Sequence, residues 1–205
     1  YGHIFCRGID IDETITVDEL IDEASKNIRE PKIVCLRDGK RYTGELKPVT
    51  ESNVSCEKKY FNKDKTYLVT GGTGALGGEL VKFMSDAGCN VAIIGRRKRE
   101  DVIQILNDLG LDNKRIQFYP CDFVSKESLN NVIKKIEADF GTINGVVHTA
   151  GVAAKGLSIS KSIEESAVVL QPKIIGTFNL LCEFSEKELD LFVMYSSDMT
   201  LLGEY

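Results

Sequence analysis

The residues best placed to do chemistry are the glycines of segment 66–77, Thr-Tyr-Leu-Val-Thr-Gly-Gly-Thr-Gly-Ala-Leu-Gly. An apolar, β-prone run leads into glycines at G-x-G-x-x-G spacing, and an amphipathic helical pattern follows. This order is typical of a loop that holds a dinucleotide pyrophosphate, because a helix N-terminus offers free N–H donors and a partial positive charge. We predict that Gly72 makes the tight turn, Gly74 lets the backbone approach a phosphate, and Gly77 lets the helix pack closely. Glycine-rich turns also occur without a ligand, so the context must support this interpretation.

The next predicted strand, 90–94, indicates which dinucleotide is bound. It is followed by Gly95, Arg96 and Arg97, and Arg96 stands nineteen residues after the last glycine of the motif. Folds that bind NAD usually carry an acidic residue there for the ribose 2′-hydroxyl, whereas a cation favours the 2′-phosphate of NADP. We therefore predict NADPH. The alternative is that the basic run 96–99 is only a solvated loop.

Length and composition exclude several other classes. A chain of 205 residues with 42% hydrophobic content can bury one good core, with a smaller appendage. The net charge of −5 and the lack of a broad basic stripe argue against nucleic acid as a partner. We find no signal peptide and no run of membrane-spanning length, and so expect a soluble, cytoplasmic protein with no membrane partner. The six cysteines form no C-x-x-C pair and the two histidines lie far apart, so we predict no metal site.

The sequence divides near residue 60, into a small segment 1–60 and a larger part 61–205. In the small segment, Thr16 to Glu19 form a capping box, and the helix that follows repeats apolar residues on a predicted inner face: Val17, Leu20, Ile21, Ala24 and Ile28. Asp38-Gly39 then predicts a hairpin between strands 32–37 and 41–46. This segment is too small to bury its own apolar face, and we expect it to dock on something larger.

Strands and helices alternate in the larger part, which predicts an α/β fold with a Rossmann-type doubly wound parallel sheet. The predicted strands are 66–70, 90–94, 115–120, 143–149 and 189–195. The predicted helices are 76–87, 98–109, 125–139 and 163–184, the last interrupted at Pro172. The predicted inner face of helix 76–87 is Leu76, Leu80, Phe83, Met84 and Ala87. Ligands of such sheets bind at the carboxyl ends of the strands, where this sequence places Asp122, His148, Thr149, Ser196 and Ser197.

Five motifs in this order and spacing resemble the ketoreductase domain of modular polyketide synthases, a branch of the short-chain dehydrogenase/reductases. They are T-G-G-T-G-A-L-G, C-D at 121–122, H-T-A-G-V at 148–152, Q-P-K-I-I-G-T at 171–177 and L-F-V-M-Y-S-S at 191–197. Upstream, R-D-G-K-R-Y at 37–42 is similar to the end of the structural subdomain that precedes the catalytic one. The resemblance covers essentially the whole chain. It implies that 1–60 ends this structural subdomain and that 61–205 is the NADPH-binding catalytic subdomain.

The resemblance implies roles for individual residues. Ser197 would hydrogen-bond the substrate β-keto oxygen, and Lys173 would lower the pKa of a catalytic tyrosine. Asp122 would accept from the adenine amino group, and His148 would be a structural residue near the cofactor rather than a general base. The implied cofactor-binding residues are Gly71, Gly72, Thr73, Gly74, Ala75, Leu76, Gly77, Gly95, Arg96, Arg97, Asp122, Phe123, His148, Thr149, Ala150 and Gly151.

Two departures from the family pattern qualify the resemblance. The catalytic tyrosine of the family stands further after the serine than Tyr205 does, which follows Ser197 by only eight positions, so Tyr205 is not assigned that role. We therefore expect a piece of a larger polypeptide that is inactive alone. The chain also has Ala153-Ala154-Lys155 in place of the L-D-D motif of B-type enzymes, which favours the A-type class with an L-hydroxyl product. Leu202 stands where A-type enzymes often carry tryptophan, so that second marker is missing.

The implied activity is NADPH-dependent reduction of a β-ketoacyl thioester, carried by phosphopantetheine on an acyl carrier protein, to the β-hydroxyacyl form. The implied partners are the carrier protein and the other domains of the synthase. Two alternatives remain open: a redox-inactive structural or epimerising ketoreductase of the same synthase, and a free-standing short-chain reductase. An NADPH oxidation assay distinguishes the first alternative, and the presence or absence of flanking synthase modules distinguishes the second.

Overall fold

The computed structural model describes residues 8–26, 33–45, 47–48, 60–111, 114–153 and 160–197. The chain divides into two compact units, Glu57–Ser196 and a smaller one that combines Tyr1–Cys56 with Ser197–Tyr205. The second division, just before Ser197, has no counterpart in the organisation predicted from the sequence.

The smaller unit contains a three-stranded sheet and one helix. Its elements are β1 (Gly8–Ile11), α1 (Val17–Ser25), β2 (Ile33–Arg37) and β3 (Lys40–Thr43). β1 was not predicted; it pairs parallel to β2, which pairs antiparallel to β3. Asp38 and Gly39, between β2 and β3, both have positive φ (49° and 67°). A two-residue type I′ hairpin needs two such residues, and the predicted hairpin is confirmed.

Helix α1 begins as predicted, but its buried face is different. Thr16 and Glu19 make both hydrogen bonds of the capping box. Val17 and Ile21, predicted to face inward, are 72% and 58% exposed, whereas Glu23 is buried. Arg41 of β3 donates to the Glu23 carboxylate at 2.8 Å, and Lys26 does so at 3.1 Å. These bonds, above all that from Arg41, lower the Glu23 pKa to about 2 and hold the carboxylate inward.

The larger unit has the predicted fold, a five-stranded parallel sheet flanked by helices. Its strands are β4 (Thr66–Thr70), β5 (Asn90–Gly95), β6 (Ile116–Pro120), β7 (Ile143–His148) and β8 (Leu191–Met194). Its helices are α2 (Ala75–Asp86), α3 (Arg99–Asp108), α4 (Lys126–Phe140), α5 (Ile163–Gln171) and α6 (Thr177–Phe184). The strand order is β6-β5-β4-β7-β8. The chain runs outward from β4 to β5 and β6 and then crosses back to β7 on the other side of β4, and this reversal opens a crevice at the carboxyl ends of β4 and β7.

Each face of this sheet has its own apolar core, because side chains alternate along a strand. On one face, residues such as Leu68 and Ile94 pack with α4 and α6. On the other, residues such as Tyr67 and Ile93 pack with α2 and α3. The predicted inner face of α4 is confirmed, and it consists of Leu129, Val132, Ile133 and Ile136.

The inner face of α2 differs from the prediction. Its buried residues are Gly77, Gly78, Val81 and Met84, while Leu76 and Phe83 are 71% and 62% exposed. The helix is turned about its axis so that its two glycines face inward, Gly77 towards the Gly71 turn and Gly78 towards Leu109. A pattern based on hydrophobicity misses this face, because glycine contributes contact through its backbone rather than through an apolar side chain.

The helical stretch 163–184 is continuous, which corrects the predicted interruption at Pro172. Between α5 and α6 the chain forms a π-helical turn, Pro172–Gly176. Proline has no N–H for the i→i−4 bond, and a locally wider turn accommodates that loss.

The expectation that no segment reaches membrane-spanning length is also wrong. Within the described part of the chain, Ile163–Phe184 is long and apolar enough by length and composition, with a mean hydropathy of 1.2. One such helix is only weak support for a membrane span. Only 22% of this apolar window is buried, and Leu180 and Phe184 at its end lie in the core beside the sheet.

Candidate functional site

A cavity of about 580 Å³ lies in the crevice at the carboxyl ends of β4, β5, β6 and β7. Its volume falls within the range of sites for cofactors and other small molecules. Eleven of the predicted cofactor-binding residues line it: Gly71, Thr73, Gly74, Gly95, Arg96, Arg97, Asp122, Phe123, Thr149, Ala150 and Gly151. The tertiary structure thus brings together residues that follow four different strands.

Five other predicted residues do not line this cavity. Gly72, Gly77 and His148 are buried, and Ala75 and Leu76 lie on the exposed first turn of α2. A role for the first three must therefore be in shaping the cavity rather than in touching what it holds.

The two predicted catalytic residues have different positions. Lys173, in the π-helical turn, is exposed, and its Cε lies 3.6 Å from where a Cβ on Gly151 would stand. It is thus next to the cavity wall. Ser197 is exposed and falls in the smaller unit. The residues used for the stereochemical assignment, Ala154, Lys155 and Leu202, lie outside the described residues, as does Tyr205.

The tight turn after β4 is made by Gly71, not by Gly72 as predicted. Gly71 has φ of +71°, in the region that side chains disfavour, and a Cβ there would lie 2.8 Å from the Ala150 backbone. Its carbonyl accepts from Gly74 N at 2.9 Å, which closes the loop. Gly72 instead packs inward, where a Cβ would lie 3.0 Å from an Ile93 methyl group.

Gly77 has the predicted role of allowing close approach. A Cβ on it would lie 2.3 Å from the Gly71 carbonyl oxygen and 2.8 Å from Thr149 Oγ1. The N-terminus of α2 begins at Gly74 with no side-chain cap and with no acidic residue in its first turn. Such a terminus suits a bound anion, because its N–H groups and the helix dipole both favour negative charge.

A hydrogen-bonded network joins the ends of β4 and β7 beneath the cavity. Thr149 Oγ1 donates to the Thr70 carbonyl at 2.7 Å, and Ala150 N donates to Thr70 Oγ1 at 3.1 Å. The Thr70 hydroxyl lies 2.6 Å from His148 Nδ1. A hydroxyl oxygen can accept two hydrogen bonds, so with Ala150 bound the Thr70 hydroxyl can either donate to Nδ1 or accept from it, according to the His148 tautomer.

Burial favours the neutral form of His148. It lowers the His148 pKa below the ordinary value, although a hydrogen bond to the Pro172 backbone opposes this in part. With Nδ1 engaged and the ring packed behind Phe123 rather than lining the cavity, the geometry favours a structural role over that of a general base.

The remaining charged groups of the cavity wall are two cations and one carboxylate. Arg96 and Arg97 follow β5 and are exposed on the wall, where a ribose phosphate could pair with them. Asp122 follows β6, and its Oδ1 accepts from Val124 N at 3.3 Å, which keeps the carboxylate at the rim. With the uncapped α2 terminus, the cavity offers groups that could hold a dinucleotide.

The cavity wall also contains residues that the sequence reasoning missed: Ile94, Phe118, Val124, Val152 and Pro172. Ile94, Val124 and Val152 lie near or beyond the carboxyl end of a strand, so strand position was the available signal for them, whereas Phe118 is central in β6. Their apolar side chains carry no group that indicates ligand binding by residue type, unlike the polar residues at the strand ends.

Comparison with known proteins gives a consistent family. A family model described as the KR domain matches residues 65–205. The chain is 28% identical to polyketide synthase PksL of Bacillus subtilis, covering 95% of this chain and 4% of that protein. It is 31% identical to reducing polyketide synthase PKS2 of Cochliobolus heterostrophus, covering 90% of this chain and 9% of that protein. The chain therefore spans a small fraction of these relatives' length.

Solved structures show the same likeness. An N-terminal ketoreductase from the macrolactin assembly line is 26% identical with a TM-score of 0.74, over 96% of this chain and 40% of that one. A ketoreductase domain from the bacillaene assembly line is 25% identical with a TM-score of 0.77, over 97% of this chain and 48% of that one.

Proposed function

Since this chain belongs to the family of ketoreductase (KR) domains of polyketide synthases, oxidoreductases of the short-chain dehydrogenase/reductase type, we propose that it reduces a β-ketoacyl thioester with NADPH. The observation that carries the proposal is the convergence of the glycine loop, Arg96 and the Asp122 loop on one cavity. We further propose that the substrate is held by phosphopantetheine on an acyl carrier protein of the same synthase. The protein would work in the cytoplasm beside the other synthase domains.

The choice of NADPH over NADH rests on the residues that follow β5. Family membership supports a nicotinamide cofactor, and Arg96 and Arg97 on the cavity wall support the phosphorylated form. A guanidinium pairs strongly with a phosphate, whereas a ribose 2′-hydroxyl would be bound better by a carboxylate. The first turn of α2 and the glycine loop would hold the pyrophosphate.

When bound, the reduced nicotinamide would supply the hydride, and the chain's own residues would prepare the substrate. Ser197 would donate a hydrogen bond to the β-keto oxygen, where negative charge develops. Lys173 would place a positive charge beside the site and so favour the ionised form of the tyrosine that the family uses as proton donor. Asp122 would accept from the adenine amino group.

The test is an assay of NADPH oxidation by the full-length protein with a short β-ketoacyl thioester as substrate. We expect consumption of NADPH that depends on the thioester and produces the β-hydroxyacyl thioester. Tight NADPH binding without oxidation would instead support a redox-inactive or epimerising ketoreductase. Oxidation driven by unrelated carbonyls but not by the thioester would favour a free-standing short-chain reductase.

A further inference from the structure

The π-helical turn that carries Lys173 is packed against the loop 122–124, which lines the cofactor cavity. Gly176, the last residue of the turn, is buried against the Phe123 ring, and a Cβ on it would lie 2.3 Å from Phe123 Cε2. Only a glycine allows the turn to approach the ring this closely. The turn and the cofactor loop therefore share one interface.

Asn179, one turn further along the helix, ties the same loop by hydrogen bonds. Its amide nitrogen donates to the carbonyls of Phe123 at 3.1 Å and Val124 at 2.8 Å. The side chain is 9% exposed, and a primary amide has two N–H donors, so both donors are used on this loop. Both bonds hold backbone of the cavity wall.

The opposite side of the Phe123 ring is also held. His148 meets it edge-on, with ring centroids 5.6 Å apart and an interplanar angle of 79°. His148 is in turn fixed by the Thr70 hydroxyl at 2.6 Å. The Phe123 ring thus lies between the end of β7 and the turn that carries Lys173.

We propose that Asn179 is a positioning residue that fixes the cofactor loop 122–124 to the helical segment carrying Lys173. The inference rests on the role of Lys173 in the proposed function. We call Phe123, Gly176 and Asn179 the brace. Pro172 has no N–H to stabilise the π-helical turn from within, so the brace supplies contacts that the turn itself lacks.

The first test replaces Asn179 by Asp in the full-length protein. Aspartate has the same shape, but as a carboxylate it donates neither bond and leaves the buried Phe123 carbonyl and the partly buried Val124 carbonyl without this donor. We expect the Kd for NADPH to rise about tenfold or more and kcat at saturating NADPH to fall about tenfold or more. Unchanged NADPH affinity or unchanged kcat in a folded Asn179→Asp variant would overturn the proposal.

Two further variants keep this test interpretable. Gly176→Ala presses on the Phe123 ring from the other side and should produce the same two effects without adding charge. Asn130→Ala is the matched control: its amide donates to Glu183 of α6 at 3.3 Å, from a helix that contributes no residue to the cavity wall. We expect it to change both constants less than about twofold. Equal effects from Asn130→Ala would show that loosening α6 in general is sufficient, which would overturn a specific role.

A double-mutant cycle distinguishes positioning from general destabilisation. In a Lys173→Met background, Asn179→Asp should still weaken NADPH binding but should lower kcat no further. A multiplicative loss of kcat in the double variant would overturn the link to Lys173. Wild-type turnover of Lys173→Met alone would instead overturn the role given to Lys173 in the proposed function. In that case the NADPH affinity of Asn179→Asp still tests whether Asn179 fixes the loop: weaker binding supports that role, and unchanged binding overturns it.

Discussion

Substituting alanine for Gly77 should damage both stability and cofactor binding, because this position has no room for a methyl group. The added carbon would lie 2.3 Å from the Gly71 carbonyl oxygen, about 1.1 Å closer than an ordinary contact of 3.4 Å. The obstacle is backbone of the tight turn, with Thr149 Oγ1 at 2.8 Å on another side, so no side-chain rotation relieves it. Helix α2 and the glycine loop must therefore move apart.

The expected magnitude follows from two opposing effects. Overpacking against rigid backbone costs about 3 kcal/mol, and replacing glycine by alanine within a helix regains about 1 kcal/mol. The net loss of about 2 kcal/mol should lower the unfolding temperature of the domain by roughly 4–8 °C. A displacement of about 1 Å also misaligns the N–H donors of the loop, so we expect NADPH to bind at least about tenfold more weakly.

The matched control is Gly78→Ala, one residue along the same helix. A Cβ on Gly78 would lie 3.3 Å from the terminal Cδ1 of Leu109, a side-chain end that can move, and at an ordinary 3.9 Å from the Gly72 carbonyl oxygen. We expect this variant to be within about 1 kcal/mol of wild type, with NADPH affinity within about twofold. Thermal unfolding and a fluorescence titration with NADPH, both on the full-length protein, measure the two quantities. Wild-type stability and affinity in Gly77→Ala would refute the reasoning.

Four other predictions address the cofactor, catalysis, product and pH. The protein should bind NADPH more tightly than NADH, and Arg96→Asp should erode or reverse this preference; equal affinities of the wild type in a titration would contradict it. Ser197→Ala should lower kcat about 100-fold with little change in NADPH affinity, as steady-state kinetics and the same titration would show. The product alcohol should be L-configured, and chiral analysis showing mainly the D form would reject the A-type assignment made from the sequence around Lys155. Ionised Glu23 stabilises the fold fully above the ordinary glutamate pKa of 4.5, and this contribution should disappear as the pH falls towards about 2. Urea unfolding should therefore show that the free energy of unfolding falls less between these pH values in Glu23→Gln than in the wild type.

Much of the fold was determined by local pattern. The strands of the larger unit are apolar runs bounded by turn residues, since a parallel strand is buried on both faces and needs no alternation. The inner face of α4 follows from its 3.6-residue period, and Asp38-Gly39 specifies its hairpin because both residues tolerate positive φ. The glycine motif and the strand-end positions likewise predicted most of the cavity wall, because the carboxyl ends of parallel strands meet at one edge.

Tertiary structure determined the features that depend on contacts between segments far apart in the sequence. Gly71 rather than Gly72 makes the tight turn because Ala150, from the end of β7, closes in on it. Glu23 is buried on α1 because Arg41 lies opposite, an attraction that no periodicity encodes. The helix continues through Pro172 as a π-helical turn that packs on Phe123. Asn179 reaches the loop after β6 because the same packing brings the helix and the loop together. Sequence specifies which groups are available locally, whereas packing selects which of them meet, since hydrogen bonds and steric contacts act only at short range.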